Sequence, residues 1–410
     1  MNRRHALAGA AALLATRVSA ASAAVPARGL WRDAQGAFGV GAFPEFGPGL
    51  FAFDYGTSIV GPLTASSAEG VTLAGALDGS GPPLEALRMD GERLVVGARR
   101  LEPVAVNRRA FTAISGSLAI SAELAVAPAL PRRGTVLMVY GSGPAPKAAF
   151  DLWAMWFLAE GYTVLTYDKR GSGETAGDWR LTGLADLAED AAAVLKQARS
   201  QGLKGPVLAW GASQAGWILP QLSAAGLVDG LIMHACAATT PAEQILDQVD
   251  YSLRAFGFDA AEIQRAKAYY ALDIDVSRGR RPWAEIDAAC KEALKAGVEW
   301  ILEPPAAATA PERTMIRLMA DFDPAPFWRN SRAPVLALFG ARDWIVPAET
   351  NLPRLRGMIP AGVALDPQII PEANHLMFIA KTGNLGEYPK LSRLASGYFS
   401  AIAAWLGQRT

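Results

Sequence analysis

Three residues far apart in the chain have the side chains that acyl-transfer chemistry requires: Ser213, Asp343 and His375. Ser213 stands in Gly211-Ala212-Ser213-Gln214-Ala215-Gly216, after the apolar run Val207–Trp210 and before a stretch of helical spacing. A serine hydroxyl is a poor nucleophile at neutral pH and needs a base within hydrogen-bond reach. A sharp turn between strand and helix exposes such a hydroxyl, and the neighbours two positions away must be small so that the backbones can approach. Gly211 meets this demand on one side. On the other, Ala215 stands where the G-x-S-x-G pattern has glycine, and Gly216 follows one step later.

Histidine is the usual base, because its pKa lies near the working pH. The chain has 3 histidines. His5 lies in the N-terminal leader, and His234 ends an apolar strand and reads as a core or supporting residue. That leaves His375, in Pro371-Glu-Ala-Asn-His375-Leu-Met-Phe378, after the strand-like Val363–Ile370. A carboxylate must orient the imidazole and balance its charge. Asp343 in Gly340-Ala-Arg-Asp343 follows the apolar run Pro334–Phe339, whereas Glu349 and Glu372 read as solvated. The order serine, aspartate, histidine suits a strand–turn–helix nucleophile. Donors for a developing oxyanion would be the Gln214 backbone N–H and the amide of Ser142, or of Gly143, in Tyr140-Gly141-Ser142-Gly143-Pro144.

These residues need a scaffold that brings them together. From Gly134 onward, apolar runs at Thr135–Tyr140, Tyr162–Tyr167, Pro206–Trp210, Val228–His234 and Pro334–Phe339 alternate with helical patterns over Ala148–Glu160 and Leu181–Ser200. Such alternation predicts a parallel sheet with right-handed crossovers. Leu391–Trp405 reads as a closing helix. Between Ala237 and Arg332 the alternation lapses into a helical, aromatic-rich insertion that could form a lid over the sheet or simply pack against the body. Residues 29–131 are rich in glycine and short strand patterns and predict a small β-rich N-terminal domain, leaving 132–410 as the catalytic domain.

Arg3 and Arg4, the apolar stretch Ala6–Ala15 and the small residues ending in Ala21-Ser22-Ala23 have the layout of a signal peptide over 1–23. Export by a general secretory or twin-arginine route is expected, to the periplasm or the medium. The 39 basic residues balance the 39 acidic ones, so charge gives no reason to expect nucleic acid or an anionic membrane as partner. No mature segment is apolar enough for a membrane span. Cys236 and Cys290 form no disulfide framework and read as unrelated buried thiols, and no metal or organic cofactor is implied.

The motifs Tyr140-Gly-Ser-Gly-Pro144, Tyr167-Asp-Lys-Arg-Gly-Ser-Gly173, Gly211-Ala-Ser-Gln-Ala-Gly216, Gly340-Ala-Arg-Asp343 and Asn374-His375 resemble those of the α/β-hydrolase superfamily. Within it they look like bacterial hydrolases of the serine aminopeptidase-like and dipeptidyl-peptidase-like group, many of them esterases with a β-rich N-terminal extension. The resemblance implies the α/β-hydrolase fold, a mostly parallel central sheet flanked by helices, and a Ser213–Asp343–His375 triad. It also marks a departure: Tyr140 stands where the family usually has histidine. The expectation is a serine hydrolase that cleaves a small carboxylic ester through an acyl-enzyme. Its rivals are a peptidase that holds a substrate amine on Glu243, Asp247 and Asp250, an acyltransferase or thioesterase, and a non-catalytic binding protein on the same scaffold.

Overall fold

The computed structural model describes residues 26–66, 70–301 and 304–409, so the leader read over 1–23 lies outside the described residues. Eight strands come first: β1 (Gly29–Asp33), β2 (Gly36–Ala42), β3 (Leu50–Asp54), β4 (Ile59–Ser66), β5 (Gly70–Ala74), β6 (Pro83–Asp90), β7 (Arg93–Val96) and β8 (Arg99–Val104). Each pairs antiparallel with the next, and β1 closes on β8 with Leu30 opposite Val104, which makes a closed barrel. Alternation along the strands turns Trp31, Phe38, Val40, Leu73, Leu87 and Leu101 into the barrel's own core. Closure leaves no unpaired edge to attract another chain.

The next two strands belong elsewhere. β9 (Asn107–Ser115) and β10 (Leu118–Val126) fall within the expected β-rich segment 29–131, yet they pair into the central sheet. β10 lies antiparallel to β12 (Thr163–Tyr167), with Ala122 opposite Tyr167, and buries Ile120 and Ala122 in the main core. The barrel therefore ends at Val104, and the sheet takes up an antiparallel edge from the preceding chain.

The parallel part comprises β11 (Thr135–Val139), β12, β13 (Val207–Ala212), β14 (Gly230–His234), β15 (Val335–Gly340) and β16 (Leu365–Ile370). The full order is β16-β15-β14-β13-β11-β12-β10-β9. β11, β14 and β15 are buried throughout, and β13 at every position but Leu208, which explains their unbroken apolar sequences. The chain passes from β11 to β12 on one side, then crosses to β13 on the other. That reversal opens a crevice at the carboxyl ends of β11 and β13, where open α/β sheets place their ligands.

Helices α1 (Asp151–Ala159), α2 (Leu184–Ser200) and α3 (Leu219–Ala224) connect these strands. Between β14 and β15 the helical insertion comprises α4 (Pro241–Ala255), α5 (Ala260–Ser277), α6 (Trp283–Lys295), α7 (Pro311–Met319) and α8 (Ala325–Asn330). Leu253, Ile263, Tyr269, Ile286, Cys290 and Trp300 give it a separate core. Cys236 lies in the main core instead, so the two thiols are free and in different clusters. α9 (Ala348–Met358) follows β15, and α10 (Gly397–Gly407) closes the chain. α10 begins later than the helical pattern from Leu391 predicts. The backbone there is committed to the barrel: the carbonyls of Leu391 and Ser392 accept from the Leu77 and Val60 amides.

The barrel is also fastened to α1. Asp151, buried at the first position of that helix, accepts from Arg28 Nε at 2.8 Å and from the Ala42 amide at 2.9 Å. A side chain at Gly41 would collide with Asp151, its Cβ reaching 2.7 Å, so glycine permits the close approach. Phe43, just beyond β2, packs edge-on against Trp153 and stacks on Phe378, joining barrel, helix and histidine loop in one core.

Candidate active site

Ser213 follows β13 with φ 52°, a left-handed conformation that a residue with a Cβ adopts only under constraint. The constraint is close packing on both sides of the turn. A Cβ at Gly211 would lie 2.6 Å from Ala215 Cβ, and one at Gly216 only 2.1 Å from the Ala237 carbonyl oxygen. The two small residues after the serine thus divide the work. Ala215 fits because it faces Gly211, and Gly216 supplies the close backbone contact. The loop after β11 comes down on the same point, since a Cβ at Gly141 would sit 3.4 Å from Ser213 Cβ.

Asp343 and His375 lie side by side. Asp343 Oδ2 lies 2.8 Å from His375 Nδ1, while its Oδ1 accepts the Ile345 and Val346 amides at 2.8 and 2.9 Å. Because a carboxylate can only accept, Nδ1 carries the proton and Nε2 is left as the basic nitrogen. Burial pulls the His375 pKa down, but the charge and hydrogen bond of Asp343, with help from Glu45, outweigh it and leave the pKa raised.

His234 plays the supporting part. It is fully buried and lies 2.8 Å from the Tyr398 hydroxyl through Nδ1 and 3.1 Å from the His375 carbonyl oxygen through Nε2. A carbonyl only accepts, so Nε2 is the protonated nitrogen and Nδ1 receives the Tyr398 hydroxyl proton. Burial drives its pKa down to about 3, which keeps it neutral. Tyr140, the departure from the family's histidine, accepts the Tyr167 amide on its hydroxyl at 3.0 Å and stacks on Phe150.

Ser213, Gln214, His375, Ser142 and Gly143 all border one pocket of about 560 Å³ at the carboxyl ends of β11 and β13. Its apolar wall is Phe150, Trp153 and Trp217. The insertion contributes Gln244 and Gln248 of α4, both amides, while most of its aromatic residues pack into its own core or the main one and none of them borders the pocket. Of the two readings of the insertion's aromatics, packing is the one these positions favour. Glu45, from the β2–β3 connection of the barrel, also borders the pocket. The acidic trio Glu243, Asp247 and Asp250 does not: Glu243 caps α4 and pairs with Arg354, and Asp250 pairs with Lys267 and Arg254. Two residues escaped the sequence reading. Glu45 sits in a segment with no chemical motif, and Lys169 was visible only as a member of Tyr167-Asp-Lys-Arg-Gly-Ser-Gly173.

The alpha/beta hydrolase family model matches residues 136–382, more than half of the chain. The chain belongs to the alpha/beta hydrolase family. None of the curated proteins matches this hydrolase. Among solved structures it is similar to a putative lipase from Acinetobacter baumannii at 17% identity, over 74% of this chain and 93% of that one, with TM-score 0.45. An esterase from Exiguobacterium antarcticum is 19% identical over 73% of this chain and 98% of its own, TM-score 0.45. A proline iminopeptidase from Mycobacterium smegmatis is 14% identical over 73% and 98%, TM-score 0.46. No helix among the described residues is long and apolar enough to cross a membrane.

Proposed function

We propose that this hydrolase cleaves small carboxylic esters through an acyl-enzyme on Ser213. The observation that carries the reading is a serine held at positive φ on the same pocket as a histidine whose Nδ1 is engaged by Asp343. Ser213 Oγ attacks the ester carbonyl carbon while His375 Nε2 takes its proton. The carbonyl oxygen becomes an oxyanion, received by the Gln214 and Ser142 backbone amides. Collapse expels the alcohol, which leaves with the proton from Nε2. Water then attacks the acyl-enzyme, gives its proton to Nε2, and the acid departs as Ser213 recovers that proton. The largely apolar pocket suits an acyl or aromatic group.

A fluorophosphonate probe tests this directly. Labelling of the wild type and none of Ser213→Ala is expected, and an unlabelled wild type would refute the serine mechanism. Short acyl esters should turn over faster than aminoacyl amides; the reverse preference would favour a peptidase. Glu45 supports that second reading in part, since a carboxylate at the pocket could hold a protonated amine, whereas the acidic trio of α4 lies outside. Export with cleavage after Ala23 remains part of the proposal, and N-terminal sequencing of protein from the periplasm or medium checks it.

A further inference from the structure

Lys169 follows β12 and is 3% exposed, yet no carboxylate is among its hydrogen-bond partners. Its Nζ donates to the Gly141 carbonyl at 2.7 Å, the Gly143 carbonyl at 3.2 Å and Gln214 Oε1 at 2.9 Å. The Trp179 ring covers a further side, with its centroid 4.7 Å from Nζ. Three ammonium protons thus meet three acceptors, and all three acceptors belong to the segments that would receive the oxyanion. Burial pulls the pKa of this amine down to about 7, while three acceptors arranged around Nζ favour its protonated form. The Lys169 backbone is pinned too: its amide donates to the Ala145 carbonyl, and Ser172, whose amide donates back to Lys169, offers Oγ to the Ala145 amide.

The peptide between Gly141 and Ser142 is planar and trans, so its carbonyl and its N–H point in opposite directions. With the carbonyl drawn to Lys169, the Ser142 N–H is turned away from the lysine. Gly141 already packs against the nucleophile, so this amide is presented beside Ser213. A cation bonded to the carbonyl end also polarises the peptide and strengthens the donor at its other end. The Gly143 carbonyl adds no second donor, because its peptide leads into Pro144, which has no N–H. On the other side Gln214, whose backbone N–H would be the partner donor, has its side chain held between Lys169 and Met319.

We infer that Lys169 is a positioning residue that sets both halves of the oxyanion site at once, through the Gly141–Ser142 peptide and through Gln214. The inference rests on the serine-ester reading above. Lys169→Met should lower kcat about ten- to a hundredfold, part of what removal of a whole oxyanion donor costs, and leave KM within about threefold. Affinity for a trifluoromethyl ketone, which forms a tetrahedral adduct on the serine, should fall by the same factor as kcat/KM. Affinity for the carboxylate product should not move. Lys169→Arg keeps donors and charge and should recover part of the loss. If Lys169→Met does not fold, Lys169→Gln carries the same comparison. A folded neutral variant with unchanged kcat and unchanged ketone affinity overturns the inference, as does a loss that falls on KM alone. Failure of the underlying reading looks different, because wild-type protein would then take no fluorophosphonate label at all.

Discussion

Replacing Asp343 by asparagine changes almost nothing in shape and should nearly abolish turnover. Oδ1 of Asp343 accepts two backbone amides, from Ile345 and Val346. In Asp343→Asn the amide oxygen must keep that place, because an NH2 group there would face two donors. The NH2 then takes the position of Oδ2, 2.8 Å from His375 Nδ1. An NH2 only donates, so Nδ1 must accept, and the imidazole proton moves to Nε2. The nitrogen that should receive the Ser213 proton is then already protonated. A wrong tautomer of this kind costs about 10⁴-fold in kcat, or about 5 kcal/mol of barrier. A second consequence has a definite sign. Asp343 is the main contributor holding the His375 pKa up against burial, so its loss lowers that pKa. The active form is the neutral imidazole, and the acid limb of the residual activity should move to lower pH. The assay is a pH profile of kcat/KM on a chromogenic ester, with circular dichroism to confirm folding. A loss below about tenfold, with the acid limb unmoved, would refute the tautomer argument.

Three further perturbations follow from the packing and charge around the site. Gly216→Ala would bring a Cβ to 2.1 Å from the Ala237 carbonyl oxygen, so Ser213 must shift; thermal unfolding should show destabilisation of more than about 1 kcal/mol, with activity lost. Glu45→Gln removes a negative charge that helps to raise the His375 pKa, and the acid limb of kcat/KM should move to lower pH while Tm stays close to wild type. His234→Phe leaves the His375 carbonyl without its donor and the Tyr398 hydroxyl proton without its acceptor, although Trp210 Nε1 still donates to that hydroxyl; denaturant titration should show a loss of about 1–3 kcal/mol.

Much of this arrangement was legible in the sequence because chemistry narrows the choices. A strand running into a serine between small residues has few uses, and with so few histidines elimination does most of the rest. Lys169 was hidden for a physical reason: nothing in a lysine's own neighbourhood says that its amine will turn inward to meet carbonyls from another loop. Strand patterns also fail to name their partners. Leu118–Val126 has a strand pattern within the segment read as β-rich, but whether such a strand closes a barrel or extends a sheet depends on edges formed by distant residues. Likewise, Leu391–Ala395 carries an apolar pattern suited to a helix, and pairing with the barrel and with the Met377–Ile379 stretch of the histidine loop draws it into an extended form. The insertion's aromatics left two readings open for a third reason: a helical unit must fill its own interior before it can line anything else, and sequence alone does not say which aromatics are spent on that.

The barrel's grip on α1 bears on how this enzyme could be taken apart or altered. Asp151 anchors the barrel at the start of the helix that carries Trp153, and the β2–β3 connection sends Glu45 to the rim of the reaction chamber. The N-terminal unit is therefore a wall of the chamber and not an ornament beside it. Trimming the chain to residues 132–410 would remove that wall together with the two outer strands of the sheet. Grafting a different barrel in its place would change which molecules are admitted while leaving the serine, histidine and aspartate where they stand.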